Sequence, residues 1–328
     1  MNLLARVLFT TVISIAALSA QSATEDAFPR KGSAITVIVP WGAGGMIDIL
    51  ARKMSRYWDQ KWGTQSVVIN KPGAAGQLGL AEMLKQRPDG YTVAFAHGFD
   101  THMTYLDAST NAPYSRSSFA FPGLAQRTSE VWVVRADSPF QTVEQFIAAA
   151  KANPGKLNFG STSSRSTVVI YAQRLKDRGA PVTLVPYKDV PSSMNALLAG
   201  DLDITMSNAA VAYPYYKAEK IRVLLAVGSK PSKYYPDAKT SDDLKLDLPD
   251  LNYTGVALPK STPPAVVQTW SAMLKEIASD PQMRADLDAM AVNLDYLPPD
   301  DYMKLWSETE FYAQKVLESI GAKVRAPH

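Results

Sequence analysis

The sequence predicts an α/β fold built from two lobes. Strands rich in β-branched residues alternate with glycine- or serine-rich turns and amphipathic helices, the pattern of parallel strands joined by crossover helices. That strand–turn–helix unit occurs near the start of the chain and again in its middle. A chain of 328 residues with 46% hydrophobic side chains is long enough for two cores.

The first unit is Ile35–Leu50, ITVIVPWGAGGMIDIL. Ile35, Val37 and Val39 alternate with Thr36 and Ile38, as in a buried strand. Pro40 lacks an N–H and stops it. Gly42, Gly44 and Gly45 permit a sharp turn and close approach by a guest. From Met46 the spacing becomes helical. A helix start leaves N–H groups unpaired at its positive end, a ready site for a carboxylate or phosphate. The dinucleotide fingerprint fails because Ile47 stands at its third glycine, and the ATP loop fails because no Gly-Lys-Ser/Thr follows.

Before this unit, Arg6, the apolar run Val7–Leu18 and small residues through Ala23 read as a secretory signal peptide over residues 1–23, cut after Ala20 or Ala23. With no cysteine anywhere, a lipid anchor at the cut and disulfides are both excluded. The expected product is exported and free of the membrane. A net charge of +3 with no basic run argues against nucleic acid.

After the first helix, Ser66–Asn70 is a strand. Lys71–Leu80, KPGAAGQLGL, is a second glycine turn entering a helix that runs to about Gln86, and Tyr91–Ala96 is a third strand. Ligands of such sheets sit beyond the carboxyl ends of the strands, where both glycine turns and His97 fall. Val131–Arg135 is the next strand, and Thr142 with Gln145 forms a capping box for the helix Val143–Lys151. Lys156–Thr167, KLNFGSTSSRST, repeats the opening logic with hydroxyls in place of glycines, and Val168–Lys176 follows as helix.

Strands follow at Val182–Val185, Leu202–Met206 and Ile221–Val227, with helices at Ser192–Leu198 and Tyr213–Ala218. Ser229–Asp250 reads as an exposed loop. A strand at Tyr253–Leu258 precedes helices at Ala265–Ser279, Pro281–Met290 and Pro298–Ile320, the last stopped by Gly321. The final helices pack back on the first unit. This gives lobe 1 as 24–130 with 253–328, and lobe 2 as 131–252. Crossings near Val131–Arg135 and Tyr253–Leu258 make a clamshell suited to hinge closure over a small solute.

The motifs resemble a known family. ITVIVPWGAGGMIDILAR is similar to the opening of the solute receptors of tripartite tricarboxylate transporters, also called Bug-type receptors, at Pro40, Trp41, Gly44, Gly45 and Asp48. VINKPGAAGQLGLAEMLKQRPDGYTVAF resembles the next block, at Asn70, Pro72, Gly73, Gly76, Gly79, Pro88, Asp89, Gly90 and Tyr91. AKANPGKLNFGS, LVPYKDV, LLAGDLDI and IRVLLAVGSK resemble later blocks, so the likeness spans nearly the whole chain after residue 23.

The resemblance implies a two-lobed periplasmic-binding-protein clamshell of type II, each lobe a mostly parallel sheet flanked by helices. It implies a small organic carboxylate held by amides, hydroxyls and water and delivered to a membrane permease. Cleft contacts carried over are Trp41, Ala43, Gly44, Gly45 and Met46, then Ala75 and Gly76, then Ser161, Thr162, Ser164, Arg165, Ser166 and Thr167, with Asn208 opposite. The chain departs from the family where Ser163 and Arg165 replace glycines, Val169 a common histidine, Asp189 a glycine and Ser207 an acid.

In this frame one carboxylate sits on the amides of the Trp41–Met46 turn. Arg165 can fork onto a second one, or pair with a nearby surface acid. A dicarboxylate, with an aromatic one as a possible case, is the expected ligand, and Trp41 walls it or belongs to the core. Asp48 beside an anion site would repel the ligand, which favours a structural role holding the glycine loop over direct contact. His97 is a candidate contact or a simple turn residue. His97 and His102 lie five apart, off common metal spacing, so no metal and no cofactor are expected. A monomer is expected. The alternatives are a receptor reporting to a membrane sensor kinase and a secreted hydrolase. The Gly-x-Ser-x-Gly elbow and His-Glu-x-x-His are absent, so no enzyme is expected.

Overall fold

The computed structural model describes residues 28–127, 129–162, 166–249 and 251–326. The expected signal peptide, Ser164 and Arg165 lie outside the described residues. No helix among the described residues is long and apolar enough to cross a membrane.

The strands are β1 Ala34–Val39, β2 Gln65–Asn70, β3 Thr92–His97, β4 Phe119–Arg127, β5 Glu130–Arg135, β6 Asn158–Ser161, β7 Thr183–Pro186, β8 Ile204–Asn208, β9 Ile221–Ala226, β10 Lys239–Thr240 and β11 Tyr253–Pro259. The α-helices are α1 Met46–Trp62, α2 Gln77–Leu84, α3 Gly98–Leu106, α4 Val143–Ala152, α5 Val168–Asp177, α6 Val190–Ala199, α7 Ala209–Lys217, α8 Pro264–Ser279, α9 Pro281–Asp288 and α10 Pro299–Ser319.

They form two sheets, ordered β2-β1-β3-β11-β4 and β10-β9-β5-β8-β6-β7. Each is parallel except for one strand. β11 runs antiparallel to β3 and β4 in the first sheet, and β5 runs antiparallel to β8 and β9 in the second. Those two are the strands that the chain enters on passing from one sheet to the other. The sheets are therefore mostly parallel, as expected, and each is made mixed by one reversed strand.

The alternation in β1 sets the first core. Ile35, Val37 and Val39 pack with Leu50, Met54 and Trp58 of α1 and Trp270 of α8. Ile38 faces the other side with Phe99 of α3 and Trp306 of α10. In β5, Val131 and Val133 face Met194 and Leu197 of α6, while Trp132 meets Phe159 and Tyr171. Burying such a side chain contributes about 1.5–3 kcal/mol, so both faces hold each sheet.

Three local expectations change. The segment between β3 and β5, unassigned in the sequence, contains α3 and β4. Ser229–Asp250 is not simply exposed, because β10 pairs with β9 and Tyr235, Thr240, Leu246 and Leu248 are buried. Thr142 accepts from the Gln145 N–H at 3.3 Å, but the Gln145 side chain accepts from the Gln141 N–H at 2.6 Å, one residue short of a reciprocal box.

Candidate functional site

The glycine loop after β1 is braced from within. Gly44 takes φ +78°, the left-handed region open to glycine. Its N–H donates to Asp48 Oδ2 at 3.0 Å. Arg52 Nε donates to the same oxygen at 3.1 Å, and Asn70 Nδ2 donates to Asp48 Oδ1 at 3.0 Å. Burial pushes the Asp48 carboxyl up, but Arg52, the Gly44 amide and Asn70 outweigh it and hold it below its usual value. Asp48 is thus part of the loop's frame. Gly45 N–H is turned to Gly42 O at 3.4 Å. Met46 and Ile47 open α1, and their N–H groups have no carbonyl four residues back within the helix.

The serine-rich turn leads from β6 to α5. Ser161 and Ser166 are buried with their hydroxyl oxygens 3.4 Å apart. Thr167 Oγ1 lies 2.8 Å from both oxygens of Glu130. A hydroxyl expected to meet a ligand is therefore directed at a carboxyl of the protein itself. Tyr171 also donates to Glu130, and Asn252 Nδ2 does so at 3.3 Å. Glu130 opens β5, so this network ties α5 to the strand that enters the second sheet.

His97 ends β3 and Asp100 lies in the first turn of α3. Gly98 between them leaves room for Tyr253, into whose ring a Cβ would run. His97 Nδ1 and Asp100 Oδ1 are 3.8 Å apart, beyond hydrogen-bond length. Burial drives His97 below its usual value, against the pull of Glu130 and Asn252. Burial pushes Asp100 up to about 7. It also pushes Glu130 up to about 7, against the donors Tyr171 and Thr167.

These pieces converge on one cavity, with about 540 Å³ of free space partly open to solvent. Of the residues proposed from sequence, Trp41, Gly45, Met46, His97, Thr162, Ser166, Thr167 and Asn208 line it. Ala43, Gly44, Asp48, Ala75, Gly76 and Ser161 do not. The Ala75–Gly76 turn instead backs Trp41, since a Cβ on Gly76 would lie 3.0 Å from the indole. The Trp41 ring stands edge-on to His97 at 5.9 Å between centroids.

Sequence reasoning missed Ile47, Asp100, Glu130, Val190, Pro191 and Met206 in the lining, and it noted Asp189 only as a family departure. Asp189 caps α6, accepting from the Ser192 N–H at 2.8 Å, and reaches Gly42 on the other side of the cavity. Glu130 carried a signal, as a lone acid leading an apolar strand. The described lining contains carboxyls at Asp100, Glu130 and Asp189 and no lysine or arginine. Among the described residues no group of His, Asp and Glu side chains could hold a metal ion.

Two α/β sheets joined by two crossings, with helix starts from both facing one cavity, define a solute-binding protein. Residues 50–322 match the family described as tripartite tricarboxylate transporter family receptor, and the chain belongs to that family. It is 31% identical over 313 residues to the UPF0065 protein in the gbd 5' region of Cupriavidus necator, covering 95% of this chain and 94% of that one. A solved periplasmic transporter superposes with a TM-score of 0.83 at 27% identity, over 90% of this chain and 99% of that one. A Rhodopseudomonas palustris protein solved with adipate superposes at 0.81 with 22% identity, over 90% and 99%.

Proposed function

We propose that the chain is a periplasmic receptor that holds a small organic carboxylate unaltered in the cavity and delivers it to a membrane permease. One observation carries this: the opening turn of α1, at Met46 and Ile47, and the hydroxyl turn at Thr162 and Ser166 border the same cavity, walled by Trp41. Charge-assisted hydrogen bonds are worth about 1.5–3 kcal/mol each and a helix end adds up to about 2. A few such bonds reach micromolar affinity, about 8 kcal/mol, after association costs. Family membership and a structural neighbour holding adipate support the same ligand class.

Within this reading, lobe 1 comprises 24–130 and 253–328, lobe 2 comprises 131–252, and the ligand is a dicarboxylate whose second carboxylate meets Arg165. Export through the segment 1–23 completes it. A thermal-shift screen of mono-, di- and tricarboxylates, with and without amines, tests the function. A ligand at 100 times its Kd should add about 2.7 kcal/mol of stability. A screen in which no carboxylate raises the melting point contradicts it. Capture by the purified permease, as opposed to a sensor ectodomain, tests the delivery step.

A further inference from the structure

We propose that Glu130 is a proton-operated tie at the hinge. As a carboxylate it holds the two crossings and α5 together, and on taking up a proton it slackens, so that lobe closure depends on pH. The carboxyl stands where the chain passes between the sheets. β4 ends at Arg127 and β5 opens with Glu130, while β11 opens at Tyr253. Asn252, one residue before β11, donates from Nδ2 to Glu130 Oε1 at 3.3 Å and so links one crossing to the other. Thr167, at the start of α5, and Tyr171 within it donate from the side of the second sheet. Glu130 is 4% exposed and Asn252 1%, so little water competes for these bonds.

All three of these partners donate, which is the set an anion needs. A charge-assisted hydrogen bond is about twice as strong as a neutral one, so a proton on Glu130 weakens the whole tie at once. The surrounding cluster is also short of hydrogens. His97 Nδ1, Asp100 Oδ1 and Asn252 Oδ1 are buried without a hydrogen-bond partner among the described residues. The two oxygens are acceptors, and buried acceptors are normally paired, so an added proton supplies a donor where one is lacking. The titratable groups facing Glu130 are His97 at the end of β3, Asp100 in α3 and Tyr171 in α5. Burial, aided by Asp100, favours the protonated carboxyl, whereas Tyr171, Thr167 and His97 favour the ionised one, and the balance falls at about 7. Asp100 is raised to about 7 as well, so a substitution at each is needed to separate them.

The chain has no cysteine, so K151C on α4 and K275C on α8, both at exposed positions, give one labelled site beside each sheet. Single-molecule energy transfer on the ligand-free protein then reads the interlobe distance from about pH 5.5 to about 8.5. The distance distribution should be narrow at high pH and broaden through a midpoint near 7 as pH falls. E130Q should be broad throughout and lack the midpoint, while D100N should keep it. A wild-type distribution that does not change with pH, or that broadens as pH rises, overturns the proposal. So does a transition that persists in E130Q or that D100N removes. Should E130Q fail to fold, Y171F decides: losing a donor to the carboxylate should move the midpoint upward, and an unmoved midpoint overturns the proposal. No ligand enters the measurement, so failure here leaves the carboxylate-receptor reading standing.

Discussion

Gly42 and Asp189 meet across the cavity so closely that a Cβ on Gly42 would fall 2.8 Å from the Asp189 carboxyl carbon. Gly42 belongs to the loop after β1 in the first sheet, and Asp189 caps α6 on the second. The contact therefore records how nearly the two halves close.

Asp189 cannot swing away freely, because its other oxygen holds the Ser192 N–H. Losing such a cap costs about 1 kcal/mol. G42A is therefore expected to weaken ligand binding about tenfold while leaving the melting point of the ligand-free protein nearly unchanged. G42A combined with D189S, which keeps a capping oxygen but shortens the side chain, should recover much of the affinity. Calorimetry on the single and double variants checks this, and a G42A protein that binds as wild type contradicts it.

Asp48 should act through the loop. D48A removes the acceptor of the Gly44 N–H, of Arg52 and of Asn70 together. A loss of about 1–3 kcal/mol in urea unfolding is expected, together with weaker ligand binding from a slackened loop. The Asp48 carboxyl is held below its usual 3.8, so its stabilisation is present above that value and is lost as pH falls through the lower folded one.

Asp100 gives the opposite slope. Its carboxyl is raised from 3.8 to about 7, so the folded protein keeps a proton that the unfolded chain releases. Its stabilisation is full below about pH 4 and disappears as pH rises through about 7. The buried neutral histidines His97 and His102 work the other way below about pH 6.5, so the raw profile mixes the two. The difference between wild type and D100N isolates Asp100. In ligand-free protein, D100N should gain stability relative to wild type between pH 4 and 8. A constant difference in melting point across that range contradicts this.

On the outer side, Lys233 and Tyr234, from the segment after β9, both reach Asp288 at the end of α9, with Tyr234 Oη donating at 2.5 Å. Both charged side chains are about half exposed, so solvent screens most of the attraction. D288A should weaken ligand binding only about two- to threefold at low salt, and not measurably at about 0.5 M salt. A tenfold loss that persists at high salt would mean the contact matters for another reason.

How much of this was legible in the sequence follows from what each residue had to signal. β1 and α1 were readable because their burial is one-sided and their periods differ. α3 was not, because all nine of its residues are buried and no polar face marks a helical period. β4 hid behind Pro122 and Gly123, which read as breakers. Pro122 is tolerated because β4 is the edge strand of its sheet, and Gly123 takes φ +153° where Leu297 O passes close by. The direction of β5 and β11 is a property of topology and leaves no mark in the residues. At the site, glycines and hydroxyls could be recognised from local turn chemistry. Asp100 could not, since a buried acid and a surface acid are spelled alike, and Glu130 showed only as a lone acid at the head of an apolar strand.

The most direct measurement is a crystal structure with the carboxylate that binds best in the thermal-shift screen. The account predicts an unmodified ligand between Trp41 and the Thr162–Thr167 turn, with a carboxylate oxygen about 2.7–3.1 Å from the amide nitrogen of Met46 or Ile47. A ligand bound elsewhere, or one chemically altered in the cavity, contradicts it.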